Sequence, residues 1–202
     1  MSRLRVAVDI DEVLADQAAA FVQYSNQQWG LGLDVSGYTE QWSHVWGVDS
    51  EEVLVRRDKM FKDGVYQRLL PVDGAVDVLR HLAQRFDLCV VTSRYIELQR
   101  DTRVWLEAHY PDIFSEQAIH FSGIWDSVGN MTHTLTKAET LRRLGVDFLI
   151  DDQLKHCIGA SEIGVRSVLF GGYAWNQGGY DRDTITRCLN WGAVREYFDD
   201  VA

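Results

Sequence analysis

The stretch Leu4-Arg5-Val6-Ala7-Val8-Asp9-Ile10-Asp11-Glu12-Val13-Leu14-Ala15-Asp16 decides the fold. Its apolar run ending in acid predicts a buried strand that delivers carboxylates at its C-terminal edge, where the ligands of open α/β sheets bind. Alternate side chains of an extended segment point the same way, so Asp9 and Asp11 face one pocket if the strand persists that far. Two neighbouring carboxylates repel and resist ionising together, so the pair demands a cation or a shared proton.

Further along, Asp87–Arg94 and Val146–Asp152 repeat the form of an apolar run closed by polar residues, Arg166–Phe170 adds another, and Ala118–Phe121 is a weaker one. Between them Asp73–Phe86 carries the apolar stripe of a helix, and Tyr95–Tyr110, Thr136–Gly145 and Trp191–Phe198 are expected helices. Thr136 and Glu139 have capping-box spacing, which puts Lys137 in a first helical turn. Strands alternating with helices predict an α/β protein with a Rossmann-like parallel sheet and helices on both faces. Asp16–Leu70 shows no strand alternation: Asp16–Trp29 and the segment capped by Asp49 are helical, and Gly30–Val48 is irregular and aromatic. The expected organisation is a core of 1–15 and 72–202, with a helical cap over 16–71. Gly171–Gly179 is expected to be a mobile connection whose Tyr173, Trp175 and Asn176 could border the active site.

A chain of 202 residues with 46% hydrophobic and 25% charged residues has ordinary globular composition. Its formal charge of −10, without a basic patch, excludes a nucleic-acid polymer as partner but admits a small anion bound through a metal. No apolar run is long enough to span a bilayer, and no apolar leader precedes the first strand, so a cytoplasmic protein with no membrane partner is expected. Cys89, Cys157 and Cys188 lack paired spacing and are expected as reduced thiols. The histidines, including His120 and His133, show no pair at ligand spacing and are expected to be structural. A homodimer is among the assembly states this composition allows.

In a parallel sheet all strand C-termini share one edge, so Asp9/Asp11, Thr92/Ser93 and Asp151/Asp152 converge, with Lys137 at a helix start beside them. Clustered carboxylates suit a hard cation such as magnesium, and hydroxyl, lysine and helix-start N–H groups suit a phosphoryl group.

These residues resemble the haloacid dehalogenase superfamily of phosphotransferases. Asp9-Ile10-Asp11-Glu12-Val13 is similar to its first motif, Thr92 to its second, Lys137 to its third and Asp151-Asp152 to its fourth, in that order along the chain. Asp9–Asp16, Tyr38-Thr39-Glu40-x-Trp42, Val91-Thr92-Ser93 and Leu149–Asp152 are similar to the 5'(3')-deoxyribonucleotidase family, which inserts a small helical cap between the first and second motifs. Glu12 departs from that family's usual Gly, and Arg94 and Tyr95 follow Ser93 where a Pro is expected nearby.

The resemblance implies that Asp9 is a nucleophile forming an aspartyl-phosphate and that Asp11 is the general acid and base. It implies magnesium held by Asp9, the Asp11 carbonyl, Asp152 and Asp151, and phosphoryl oxygens held by Thr92, Ser93 and Lys137. Trp42, Trp46, Phe61, Tyr66 and Arg94 are the candidates for touching substrate, although the cap aromatics serve equally as the cap's own core. The implied activity is a magnesium-dependent phosphomonoesterase, a 5'-nucleotidase acting on (deoxy)nucleoside monophosphates. The alternatives are a phosphatase for small sugar phosphates or phospho-acids, and a non-catalytic phosphate-binding regulatory protein.

Overall fold

The structure, a computed structural model, describes residues 3–122 and 135–201. The stretch with Trp125, Gly129 and Asn130, which the sequence predicts to be a loop, and His133 lie outside the described residues.

Each expected apolar run forms a strand: β1 (Arg5–Val8), β2 (Asp87–Thr92), β3 (Ile119–Phe121), β4 (Phe148–Asp151) and β5 (Arg166–Phe170). A further strand, β6 (Ile185–Cys188), completes the sheet in the order β3-β2-β1-β4-β5-β6, with every pairing parallel. The sequence Ile-Thr-Arg-Cys has too little apolar character to signal a strand, and its pairing with β5 supplies the ladder that local sequence does not.

The helices are α1 (Gln17–Trp29), α2 (Trp42–Trp46), α3 (Ser50–Lys62), α4 (Ala75–Leu82), α5 (Gln99–His109), α6 (Lys137–Leu144), α7 (Leu154–Glu162) and α8 (Trp191–Asp200). Strand alternation sorts the core into two faces. Val6, Val8, Val90, Phe148 and Ile150 pack with Leu79 and Leu82 of α4 and Val194 and Phe198 of α8. Ala7, Cys89, Val91 and Leu149 point the other way, onto Leu141 of α6 and Ala160 of α7. Burial on both faces explains why these strands are continuous apolar runs, each large side chain contributing about 1.5–3 kcal/mol.

The segment 16–71 holds α1, α2 and α3. Asp16 caps α1 by accepting from Ala19 N, and Gly30, at φ 63°, ends it in the left-handed conformation. Contrary to the irregular stretch expected for 30–48, α2 forms there, and its Trp42 and Trp46 pack one turn apart around Phe21. The insertion leaves and re-enters the core through paired backbone: Asp16 N donates to Leu70 O at 2.9 Å and Val72 N to Leu14 O at 2.8 Å. Cap position is thereby tied to the loop carrying Asp9 and Asp11.

The loop after β5 is fixed where a mobile connection is expected. Arg187 of β6 donates to Gly171 O, Asn176 Oδ1 and Asn176 O at 2.6–2.9 Å, and the fully buried Asn176 donates to Phe170 O and Asp152 O. Among the described residues no helix is long and apolar enough to cross a membrane.

Candidate active site

β1 lies between β2 and β4, so the chain leaves it toward both halves of the sheet, and the crevice at its C-terminal end is a topological switch point. Asp9 N donates to Ile150 O at 2.9 Å, carrying the β4 pairing one residue past the strand. β1 itself stops at Val8, and Leu14 N and Ala15 N fold back onto Ile10 O at 2.7 and 2.8 Å. Asp11 therefore reaches the crevice through a turn, not through the strand alternation expected of it. The two carboxylates nonetheless line one cavity with Thr92, Ser93, Arg94, Asp152, Tyr66 and Trp42.

Lys137, in the first turn of α6, is aimed into the crevice by the capping box of Thr136 and Glu139. Its buried Nζ donates to Asp151 Oδ2 at 2.7 Å and lies 3.0 Å from Asp9 Oδ1. Burial would push Asp151 up, but Lys137 and then His156 hold it well below the usual carboxylate range. Asp9 goes the other way, to about 6, chiefly through burial, with Asp151 and Asp11 adding repulsion against the opposing pull of Lys137. Asp152 is pushed well above its ordinary value by burial and by Asp151 and Asp9. Adjacent acids of one strand end thus differ sharply because only Asp151 touches the lysine.

Arg94 spans both oxygens of Asp11, with Nη2 to Oδ1 at 2.7 Å and Nε to Oδ2 at 3.0 Å, while Nη1 donates to Thr102 Oγ1. Its guanidinium is buried against the rings of Tyr66 and Trp105, so Asp11 is held by a cation that packing fixes in place. Glu12 follows at φ 63°, a conformation natural to the glycine of the resembled family and strained for a residue that carries a Cβ. Its carboxylate accepts from Ala18 N in the first turn of α1 at 2.5 Å, its carbonyl accepts from Tyr173 Oη at 2.7 Å, and burial lifts its carboxyl to about 8.

The structure separates the expected substrate-contact residues. Trp42 and Tyr66 line the cavity. Trp46 does not: it is buried in the cap, stacked on Phe21 at 4.9 Å with Nε1 donating to Ser25 Oγ. Phe61 sits behind the wall, its ring against those of Tyr66 and Tyr95. Arg94 lines the cavity, but its Nε, Nη1 and Nη2 already donate to Asp11 and Thr102. A helical stripe of aromatics alone could not distinguish a lining ring from a core ring.

Gln17, Glu40, Tyr95, Gln153 and His156 also line the cavity, and none is among the site residues expected from the sequence. Contrary to a purely structural histidine, His156 places Nδ1 3.2 Å from both oxygens of Asp151. The signal lay in its place four residues after Asp152, in the first turn of α7, whose axis begins at the same strand end.

The residues fit a divalent cation. Asp9 Oδ1 is buried and accepts no hydrogen bond from the described residues by strict geometry, with Lys137 Nζ 3.0 Å away. Both donors to the Asp152 carboxylate, Trp175 and Gln153, reach Oδ2, so Oδ1 takes none from the described residues. Two carboxyls raised chiefly by burial, with neighbouring acids adding repulsion, are what a hard cation relieves. Asp9, Asp151 and His156 also offer ligand atoms within 4.8 Å of one another, but Lys137 already fills that cluster and imidazole suits magnesium poorly.

The fold has many solved relatives. A haloacid dehalogenase-like hydrolase from Streptococcus pneumoniae superposes with a TM-score of 0.70 at 14% identity, covering 97% of this chain and 98% of the other. A hydrolase of the same superfamily from Deinococcus radiodurans, solved with bound phosphate and sodium, gives 0.62 at 16% identity over 97% and 95%. A Staphylococcus epidermidis protein provisionally named 5'(3')-deoxyribonucleotidase is 29% identical over 94 residues, 46% of this chain. The chain spans about half the length of the curated relatives it matches, 51%. One family model, described as 5' nucleotidase, deoxy (pyrimidine), cytosolic type C, matches residues 3–197. With the crevice of Asp9, Asp11, Thr92, Lys137 and Asp152 at the switch point of a haloacid dehalogenase-like sheet, that match over nearly the whole chain means that the protein belongs to the cytosolic type C 5'-nucleotidase family.

Proposed function

We propose that the protein is a magnesium-dependent phosphomonoesterase of the cytoplasm, a 5'-nucleotidase acting on (deoxy)nucleoside monophosphates through an aspartyl-phosphate. The observation that carries this reading is Asp9, which lines a cavity walled by Trp42 and Tyr95, accepts no hydrogen bond on its buried Oδ1 from the described residues, and has the ammonium of Lys137 3.0 Å away.

Asp9 attacks phosphorus and the bond to the leaving oxygen breaks. Asp11 gives that oxygen a proton, then takes one from the water that cleaves the acyl phosphate and regenerates Asp9. To reach the leaving oxygen, Asp11 must give up part of its contact with Arg94. Thr92, Ser93 and Lys137 hold the phosphoryl oxygens, Lys137 from a position already fixed by Asp151. Asp9, the Asp11 carbonyl and Asp152, with Asp151 behind them, would hold magnesium, which when bound offsets charge on the phosphoryl oxygens.

The partner is a small phosphomonoester, not a nucleic-acid polymer. The test is phosphate release from deoxynucleoside monophosphates, ribonucleotides and sugar phosphates, with magnesium and with chelator. Release from nucleotides that needs magnesium and disappears in Asp9→Asn is expected; no release from any substrate, or full activity in Asp9→Asn, overturns the reading. A second reading, a phosphatase for small sugar phosphates or phospho-acids, is favoured by one observation. The cavity, about 140 Å³, is smaller than the roughly 300–1,000 Å³ of sites that enclose a larger ligand. Under the nucleotidase reading the leaving group extends along the adjoining groove of Thr39, His44 and Trp175, which shares Glu40 and Gln153 with the cavity. Relative rates on the two substrate classes separate them.

A further inference from the structure

Trp175 lies in the loop after β5, outside every motif that identifies the family resemblance, and its indole reaches the strand end of β4. Nε1 donates to Asp152 Oδ2 at 2.6 Å, a short hydrogen bond to a buried carboxyl group. The ring is packed against two others. It is stacked on Tyr173 at 4.6 Å with the planes 4° apart, and the edge of Tyr38 from the cap meets it at 5.4 Å. The residue after it is locked more firmly still, since Asn176 donates to the Asp152 carbonyl at 3.0 Å and is itself gripped by Arg187. Backbone and carboxylate of Asp152 are thus both held by one dipeptide, Trp175-Asn176, anchored from β6.

A carboxylate bound on one oxygen by a rigid N–H has its rotamer chosen for it, and its other oxygen is presented in a fixed direction. Gln153 Nε2 also donates to Oδ2, at 3.0 Å, so both donors select the same oxygen and leave Oδ1 toward the crevice that Asp152 lines. We propose that Trp175 is a positioning residue whose indole N–H fixes Asp152 so that Oδ1 is preorganised to bind the divalent cation. This rests on the metal-dependent reading above. It assigns work to a loop tryptophan that touches neither the nucleophile nor Lys137, and it gives β6, through Arg187, a part in building the metal site.

Removing a hydrogen-bond partner of a metal ligand typically costs 10–100-fold in metal affinity. The experiment is calorimetric titration of magnesium into wild-type protein and Trp175→Phe, with thermal unfolding in chelator and the magnesium dependence of phosphate release alongside. Trp175→Phe is expected to bind magnesium at least about tenfold more weakly, to need correspondingly more magnesium for half-maximal rate, and to recover kcat when magnesium saturates. If Trp175→Phe does not fold, β-(3-benzothienyl)alanine at position 175 keeps the ring and deletes only the N–H, with the same loss expected. Unchanged magnesium affinity in the variant lacking the N–H overturns the positioning role while leaving the metal-dependent reading intact. A kcat deficit that saturating magnesium does not repair also overturns it, as the role would then be structural. Wild-type protein that binds no magnesium removes both readings.

Discussion

Replacing Lys137 by Met tests the electrostatics on which the site rests. The ammonium sits 2.7 Å from Asp151 and 3.0 Å from Asp9, and all three groups are buried. Met fills a similar volume, so the loss is of charge and hydrogen bonding, and removing one partner from a buried ion pair costs about 3–5 kcal/mol. For a chain of this size that is a fall in Tm of roughly 6–20 °C. The sign with pH follows from Asp151. Its depressed carboxyl contributes stability present above the ordinary value of 3.8 and lost as pH falls through its lowered one, and the variant lacks that contribution. Asp9, raised to about 6 even with the lysine present, is destabilising as pH rises from 3.8 through that value, and more so without it. The gap between wild type and Lys137→Met is therefore widest above pH 6 and narrows toward pH 4, where the carboxyls neutralise themselves with protons. Magnesium should raise the Tm of the variant more than that of wild type, because it supplies the missing counter-charge. Thermal and urea unfolding at several pH values, with and without magnesium, measure this. A variant as stable as wild type at pH 7.5, or a deficit that does not change with pH, refutes the reasoning.

Glu12→Gln keeps an acceptor for Ala18 N but removes a carboxyl raised from 4.5 to about 8, a shift that withdraws stability as pH rises across that interval. The variant should gain on wild type by a few kcal/mol between pH 5 and pH 8.5 in urea melts; a pH-independent difference would show that Glu12 is not buried as a carboxyl. Trp46→Ala should cost about 3–5 kcal/mol of stability by emptying the cap core, with little change in KM at a temperature where the protein is folded. Trp42→Ala should instead raise KM, and the opposite pattern in steady-state kinetics would put the substrate on the wrong ring. Arg94→Met leaves Asp11 without its bidentate partner and should lower kcat at least tenfold while sparing phosphate binding, measured as product inhibition; an unchanged kcat would remove Arg94 from the control of Asp11.

The strand ends were legible because a strand buried on both faces must be apolar until the residue at which it leaves the sheet. In β1, β2 and β4 the first polar residues past the apolar run are Asp9, Thr92 and Asp151. Lys137 was legible because Thr136 and Glu139 announce the start of α6 by a local hydrogen-bond pattern. β6 was not, because a short edge strand owes its conformation to its neighbour more than to its own side chains. The fixed loop of residues 171–177 was hidden for the same reason, since Arg187, which holds it, comes from that strand.

Sequence by itself therefore determined the parallel α/β sheet, the insertion after the first strand and the identity of the acids, hydroxyl and lysine that meet at its edge. Tertiary structure decided what each group does there. It gave Asp151 to Lys137 and His156, Asp11 to Arg94 and Asp152 to Trp175, and it sent Trp46 into the cap while leaving Trp42 on the cavity wall. Local patterns record which face of an element is buried, whereas partner choice depends on distances between residues far apart in the chain, which exist only after the sheet, the cap and the β6 edge have packed together.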